Sequence, residues 1–297
     1  MSFTSRRLAI LGPGLLGGSL AGAVHRWGCA AEVRLWGRRE AAVQQVVARG
    51  WAERGTTAVA EAVEGADFVI LATPVGAMPD LAREIVTAKL SQDAIVTDVG
   101  SVKGFVAENV APIFDAAGIT FIGSHPMAGG EATGFEAARD DLFDGAACIL
   151  TPHAASLPRL RAFWETLRCR ITVMTPAEHD AAVAEISHLP HLAASAIALA
   201  ALGRGTGALP LAGNGFRDTT RVASGDPDMW TEILLENRHA LAGPLAALVS
   251  ELTRSLDFLK NQDEGALRAF LAEAKRLRDL AKAPRPADGA SAPADGA

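Results

Sequence analysis

The sequence predicts an α/β chain, with a doubly wound, mainly parallel sheet in residues 1–175 followed by an all-helical domain over 176–283. Short apolar runs alternate with helical stretches through the first half. Those runs are continuously apolar rather than alternating, as strands buried on both faces are. Strand signals stop near Thr175 and helical spacing takes over.

Leu8–Leu11 reads as the first strand, and glycines lead from it into a helix over 19–27. Val33–Trp36 and residues 68–72, 95–99 and 121–122 read as further strands, with 149–151 and 172–174 later. Helices are expected between most of them, at 40–49, 57–64, 75–89 and 103–117. Residues 179–202 are apolar nearly all round, which predicts a buried helix that Pro190 kinks or restarts. Leu241, Leu245, Leu248, Leu252 and Leu259 recur at helical steps. So do Leu267, Phe270, Leu271, Ala274 and Leu277, with a break expected at 261–263. So much apolar surface on helices predicts a homodimer. Residues 284–297, rich in Pro, Ala, Gly and Asp, are expected to be a disordered tail with no regulatory domain after it.

With 297 residues, 49% of them hydrophobic, the chain can build a substantial core and two domains. Its net charge of -6 and lack of a long Lys/Arg run argue against a nucleic-acid partner. Cys29, Cys148 and Cys169 lack metal-ligand or redox spacing, so free thiols of a cytoplasmic protein and no metal site are expected. Arg6-Arg7 before an apolar stretch has the look of a secretion signal. The run at Leu8–Leu11 is only strand-length, however, and cleavage would remove the glycines after it. The apolar run 189–202 is short of the roughly 20 residues that span a bilayer, so no membrane segment is expected.

Gly12, Gly14 and Gly17 fit G-x-G-x-x-G after a buried strand and at the start of a helix. The first glycine makes the tight turn, the second lets backbone approach a pyrophosphate, and the third lets helix pack on strand. Leu15 and Leu16 then present helix N-terminal N–H groups to the phosphates. Thr73 and Pro74, at the end of the third expected strand, join the dinucleotide-binding set. The second strand decides which dinucleotide. It ends Leu35-Trp36-Gly37-Arg38-Arg39, without the acid that accepts from a ribose 2′-OH. Guanidinium groups suit a 2′-phosphate. NADP is therefore expected, with Arg38 first and Arg39 second as its ligands, and NAD as a weaker alternative.

His125, in Gly123-Ser-His-Pro-Met-Ala-Gly-Gly-Glu131, follows an expected strand and is suited to acid/base work near neutral pH. Ser101, in Asp98-Val-Gly-Ser-Val-Lys103, leaves another strand end, where its hydroxyl could orient the imidazole or contact a nicotinamide. Arg217, Asp218 and Arg221 fall in an otherwise apolar helical region, before Asp226-Pro-Asp-Met-Trp230, and suggest capture of a carboxylate.

Taken with Ser187-His188-Leu189-Pro190-His191, these motifs resemble the prephenate/arogenate dehydrogenase family over about residues 8–281. The resemblance implies a Rossmann-like domain, a helical dimerisation domain and oxidative decarboxylation of prephenate or arogenate on the route to tyrosine. It implies that His125 is the catalytic base and that Ser101 contacts it and the nicotinamide. Arg221 would grip a substrate carboxylate, Asp218 would arrange it, and His191 would lie near the substrate side chain. Glu131 and Trp230 match other pocket positions, and Arg217 joins the substrate-binding candidates as a second arginine beside them. The choice between prephenate and arogenate stays open, with the surroundings of His191 and Asn214 as places where it could be made. An amino-deoxyprephenate enzyme is a variant within the family. A β-hydroxyacid dehydrogenase or imine reductase would use a helical-domain lysine, and no lysine lies between Lys103 and Lys260. A non-catalytic NADP-sensing module would leave His125, Ser101 and Arg221 together unexplained.

Overall fold

The structure, a computed structural model, describes residues 3–130, 132–153 and 155–280. Its centre is a six-stranded, wholly parallel sheet of β1 (Leu8–Leu11), β2 (Val33–Trp36), β3 (Arg54–Thr56), β4 (Phe68–Leu71), β5 (Ile95–Asp98) and β6 (Thr120–Ile122). The strand order is β3-β2-β1-β4-β5-β6. Leu8 pairs with Val33 on one side and Phe68 on the other, so β1 is central. Leu8 and Ile10 enter one apolar core while Ala9 and Leu11 enter another, which explains the continuous apolarity of these strands. Helices α1 (Leu15–Trp27), α2 (Glu40–Ala48), α3 (Val59–Val63), α4 (Met78–Ile85), α5 (Lys103–Asn109) and α6 (Ala111–Ala116) connect the strands. The chain reverses its winding direction at β1, which opens a crevice at the carboxyl ends of β1 and β4.

A second, three-stranded sheet follows. β7 (Ser124–Pro126) pairs antiparallel with β8 (Ala147–Leu150), which pairs parallel with β9 (Arg170–Val173) across α7 (Leu157–Thr166). Two strands were not anticipated. β3 contains Gly55, and β7 is the three residues around His125, too short and too polar to carry a strand signal. The single helix expected over 103–117 is instead α5 and α6, broken at Val110. Pro112 near the start of α6 cannot donate the backbone bond that continuity requires.

The helical part comprises α8 (Pro176–Val183), a π turn (Ala184–His188), α9 (Leu189–Leu202), α10 (Asn214–Thr220), α11 (Pro227–Glu236), α12 (Arg238–Lys260) and α13 (Glu264–Leu280). A capping box, Thr175 with Glu178, starts α8. The π turn lets the chain pass Pro190 without ending the helix, because a widened turn tolerates a missing donor. Pro176–Leu202 thus forms one stretch of 27 residues, long and apolar enough to cross a membrane on length and composition, as 189–202 alone is not. The expected burial of this stretch is corrected: Ile186 is 67% and Leu199 73% exposed. Much of its apolar surface points outward, while Val183, Ala184 and Ala194 are buried along with His179, His188 and His191.

The chain divides into two compact units, one up to Ala242 and one from Gly243. The cavity and the residues around it described below lie in the first. In the second, Phe258 and Phe270 pack edge to face at 6.3 Å between ring centres, and Gln262 turns the chain with φ 52°. Leu252, Leu256, Leu259, Leu271 and Leu277 are exposed there. The tail expected over 284–297 lies outside the described residues.

Candidate active site

A cavity of about 610 Å³ opens at the carboxyl ends of the central strands, within the roughly 300–1,000 Å³ of small-molecule sites. Gly14, Leu15 and Leu16 line it at the start of α1, and Thr73 and Pro74 at the end of β4. Ser101, His125 and Trp230 complete the sequence-predicted set on its walls.

The dinucleotide loop has the backbone its motif requires. Gly12 has φ +125°, and a side chain there would strike the Ala72 carbonyl at 2.3 Å. A Cβ on Gly17 would meet the Gly12 carbonyl at 1.8 Å. Gly14, by contrast, faces open space where a ligand could approach. No side chain caps α1 and no acid stands in its first turn, so its N–H groups and positive end remain available to an anion. Thr73 Oγ1 is buried beside the cavity with no hydrogen-bond partner among the described residues. These features fit a dinucleotide. Arg38 and Arg39 lie exposed after β2, and neither guanidinium has a partner among the described residues.

His125 is held between two polar networks. Below it, Asp98 and Lys103 form a fully buried ion pair. Asp98 also accepts from the backbone N–H groups of Gly100 (2.8 Å) and Ser124 (3.1 Å). The Ser124 hydroxyl donates to the Asp98 carbonyl at 2.5 Å. One carboxylate therefore joins the loop carrying Ser101 to the strand carrying His125. Beside it, His125 Nδ1 lies 2.8 Å from His179 Nε2, and His179 Nδ1 lies 2.7 Å from Asp180 Oδ1. Burial, reinforced by His179, Lys103 and His188 nearby, holds His125 well below the usual histidine range, so its ring is neutral at physiological pH.

The expected roles divide here. Ser101 shares the cavity with His125, but the partner of His125 Nδ1 is His179, which sequence reasoning passed over together with Asp180. Their adjacency just after a capping box was the available signal. His188, treated only as part of a motif, lines the cavity, whereas His191 is absent from its walls. His191 stacks on Trp230 at 3.6 Å and 12°, and its buried Nδ1 has no partner among the described residues. Glu232, also unforeseen, lines the cavity and accepts from Gly76 N–H at 2.5 Å, tying α11 to the turn after Pro74. Arg217 and Asp218 on α10, and Arg221 in the 3-10 turn after it, are exposed and do not line the cavity, although both elements pack on α9. Among the described residues, the cavity walls carry no Arg or Lys. Glu131 lies outside the described residues.

Residues 20–173 match the family model described as prephenate dehydrogenase, nucleotide-binding domain. Residues 175–273 match that of the prephenate dehydrogenase dimerization domain. The chain is 31% identical over 285 residues to cyclohexadienyl dehydrogenase of Zymomonas mobilis, covering 92% of this chain and 95% of that one. It is similar to the crystal structure of prephenate dehydrogenase from A. aeolicus in complex with hydroxyphenyl propionate and NAD+. That likeness has a TM-score of 0.85 and 31% identity, covering 95% of this chain and 100% of that one. Synechocystis arogenate dehydrogenase gives a TM-score of 0.76 at 33% identity, over 93% and 99% of the two chains.

Proposed function

The chain belongs to the prephenate dehydrogenase family, and from that premise we propose that it oxidatively decarboxylates prephenate or arogenate with hydride transfer to NADP. The observation that carries this reading is the meeting of His125, Ser101 and the open end of the glycine loop on one cavity. A nicotinamide cofactor bound there supplies the hydride acceptor. Gly14, Leu15 and Leu16 present backbone N–H groups to its phosphates, and Thr73 offers an unused hydroxyl.

His125 does the proton work. A neutral imidazole in the cavity wall can take the ring hydroxyl proton as that carbon gains carbonyl character. Aromatisation drives loss of CO2, so the chain needs to orient the ring, accept one proton and exclude water. Ser101 stands where it can contact the reacting groups. Arg221 is the proposed carboxylate partner, with Asp218 and Arg217 near it in sequence, because the described residues of the cavity walls supply no cation.

NADP rather than NAD follows from Arg38 and Arg39 after β2, where no carboxylate would repel a 2′-phosphate. The exposed leucines of α9, α12 and α13 support a homodimer. Three unpaired cysteines fit a cytoplasmic setting. The test is nicotinamide reduction followed by absorbance, with each cofactor against prephenate and arogenate side by side. Turnover of neither substrate would overturn the reading.

A further inference from the structure

His125 has two ring nitrogens, and only a lone pair on the one away from His179 makes it a base toward a ligand. The far end of its hydrogen-bond chain fixes which one that is. Asp180 Oδ1 accepts from the backbone N–H of Lys103 and Oδ2 from that of Gly104, each at 2.8 Å. With both oxygens engaged as acceptors, the contact with His179 is a donation from His179 Nδ1–H. An imidazole that carries its one hydrogen on Nδ1 has its lone pair on Nε2, which accepts from His125 Nδ1–H. The lone pair of His125 is left on Nε2.

We propose that His179 and Asp180 are positioning residues for the proton transfer: they hold His125 as the Nδ1–H tautomer and share the charge it gains. When Nε2 takes a proton, the Nδ1–H bond to His179 strengthens, and the Asp180 carboxylate faces the new positive charge through that ring. In this step the substrate O–H bond breaks and its proton comes to rest on His125 Nε2, while the C–H bond of the same carbon is lost as hydride. The arrangement is built for rigidity. His179 is fully buried, His125 is 8% exposed and Asp180 9%. Asn237 Nδ2 donates to the Asp180 carbonyl at 2.9 Å, fixing the segment from the side of α11 and α12. The groups facing His125 are His179 on α8, His188 in the π turn and Lys103 on α5, which is itself paired with Asp98 of β5. This inference rests on His125 being the base.

The decisive variant is Asp180→Asn, which keeps the shape but offers an N–H to His179. Its Nδ2 replaces one of two acceptor oxygens: at the Oδ1 place it turns His179 around, makes its Nε2 a donor and puts hydrogen on His125 Nε2 toward the cavity, and at the Oδ2 place it opposes the Gly104 N–H. In an Asp-His pair of a hydrolytic triad, the same exchange costs about 10⁴-fold through the wrong tautomer. Here kcat is expected to fall roughly 10²–10⁴-fold with KM for substrate and cofactor nearly unchanged. Nitrogen-15 spectra of histidine-labelled protein, with His125 assigned by its loss in His125→Asn, read the tautomer without turnover. Nδ1–H in the parent and Nε2–H in Asp180→Asn are expected. His179→Gln provides a second variant: its amide oxygen still accepts from His125 Nδ1–H, so the tautomer persists and the kcat loss is smaller. An Nε2–H tautomer in the parent, or a folded Asp180→Asn with parental kcat, would overturn the proposal. Absence of dehydrogenase activity would defeat the functional reading alone, since the spectra still report the relay.

Discussion

Asn237 fixes the protonation of His188. Its Nδ2 donates to the Asp180 carbonyl and lies 3.0 Å from His188 Nδ1, so that nitrogen is an acceptor and the ring hydrogen sits on Nε2. The amide orientation is unambiguous, because a backbone carbonyl can only accept. Burial pushes His188 down to about 4, against the upward pull of Asp180.

This makes stability pH-dependent in a stated direction. An unfolded histidine binds its proton near 6.5, whereas folded His188 binds only near 4. Between those values the unfolded state holds the extra proton, so stability falls as pH falls from 6.5 to 4. The lowered His125 and His191 act in the same sense. Thermal melts across this range should show Tm dropping with acidification, and His188→Gln should flatten the slope. His188 alone accounts for on the order of 2–3 kcal/mol at the acid end.

His125→Asn should bind cofactor normally and lose roughly 10²–10⁴-fold in kcat, since a general base is removed without disturbing the glycine loop. Fluorescence titration with NADPH and steady-state kinetics separate the two effects. Turnover near the parental rate would refute the assignment.

Lys103→Met leaves Asp98 as a buried carboxylate without its cation. Breaking such a pair typically costs about 3–5 kcal/mol. A large Tm loss is expected, partly recovered in Lys103→Met/Asp98→Asn. Equal stability of Lys103→Met and parent would show that backbone donors suffice for Asp98.

Arg38→Ala should raise KM for NADP by about 10–100-fold, the worth of one or two charge-assisted hydrogen bonds, and leave KM for NAD nearly unchanged. A parent enzyme that prefers NAD would exclude the role.

Arg221→Ala should act chiefly on substrate KM, on the order of 3 kcal/mol of lost charge-assisted binding, with cofactor KM unmoved. An unchanged substrate KM would remove Arg221 from the site.

Local chemistry made much of the fold legible. Continuous apolarity marks β1, β2, β4 and β5 because burial on both faces demands it at every position, and glycine spacing marks the turn into α1 because steric limits there act between near neighbours. The identities of His125, Ser101 and the residues after β2 were legible for the same reason: each follows a strand whose end can be read from the sequence. β7 was not, since its pairing with β8 joins residues more than 20 apart and its own three residues carry no period. The outward apolar face of α9 was misread because composition reports how apolar a helix is, not what covers it. The partner of His125 likewise depended on the third dimension. Strand-end placement and the family resemblance suggested Ser101, but the packing of α8 on α5 brings His179 to 2.8 Å and hangs Asp180 from two backbone N–H groups of α5. Sequence alone determined which chemical groups the protein owns and which strand ends carry them. Tertiary structure decided which nitrogen of His125 keeps its lone pair toward the cavity, because a tautomer is set by hydrogen bonds between segments far apart in the chain.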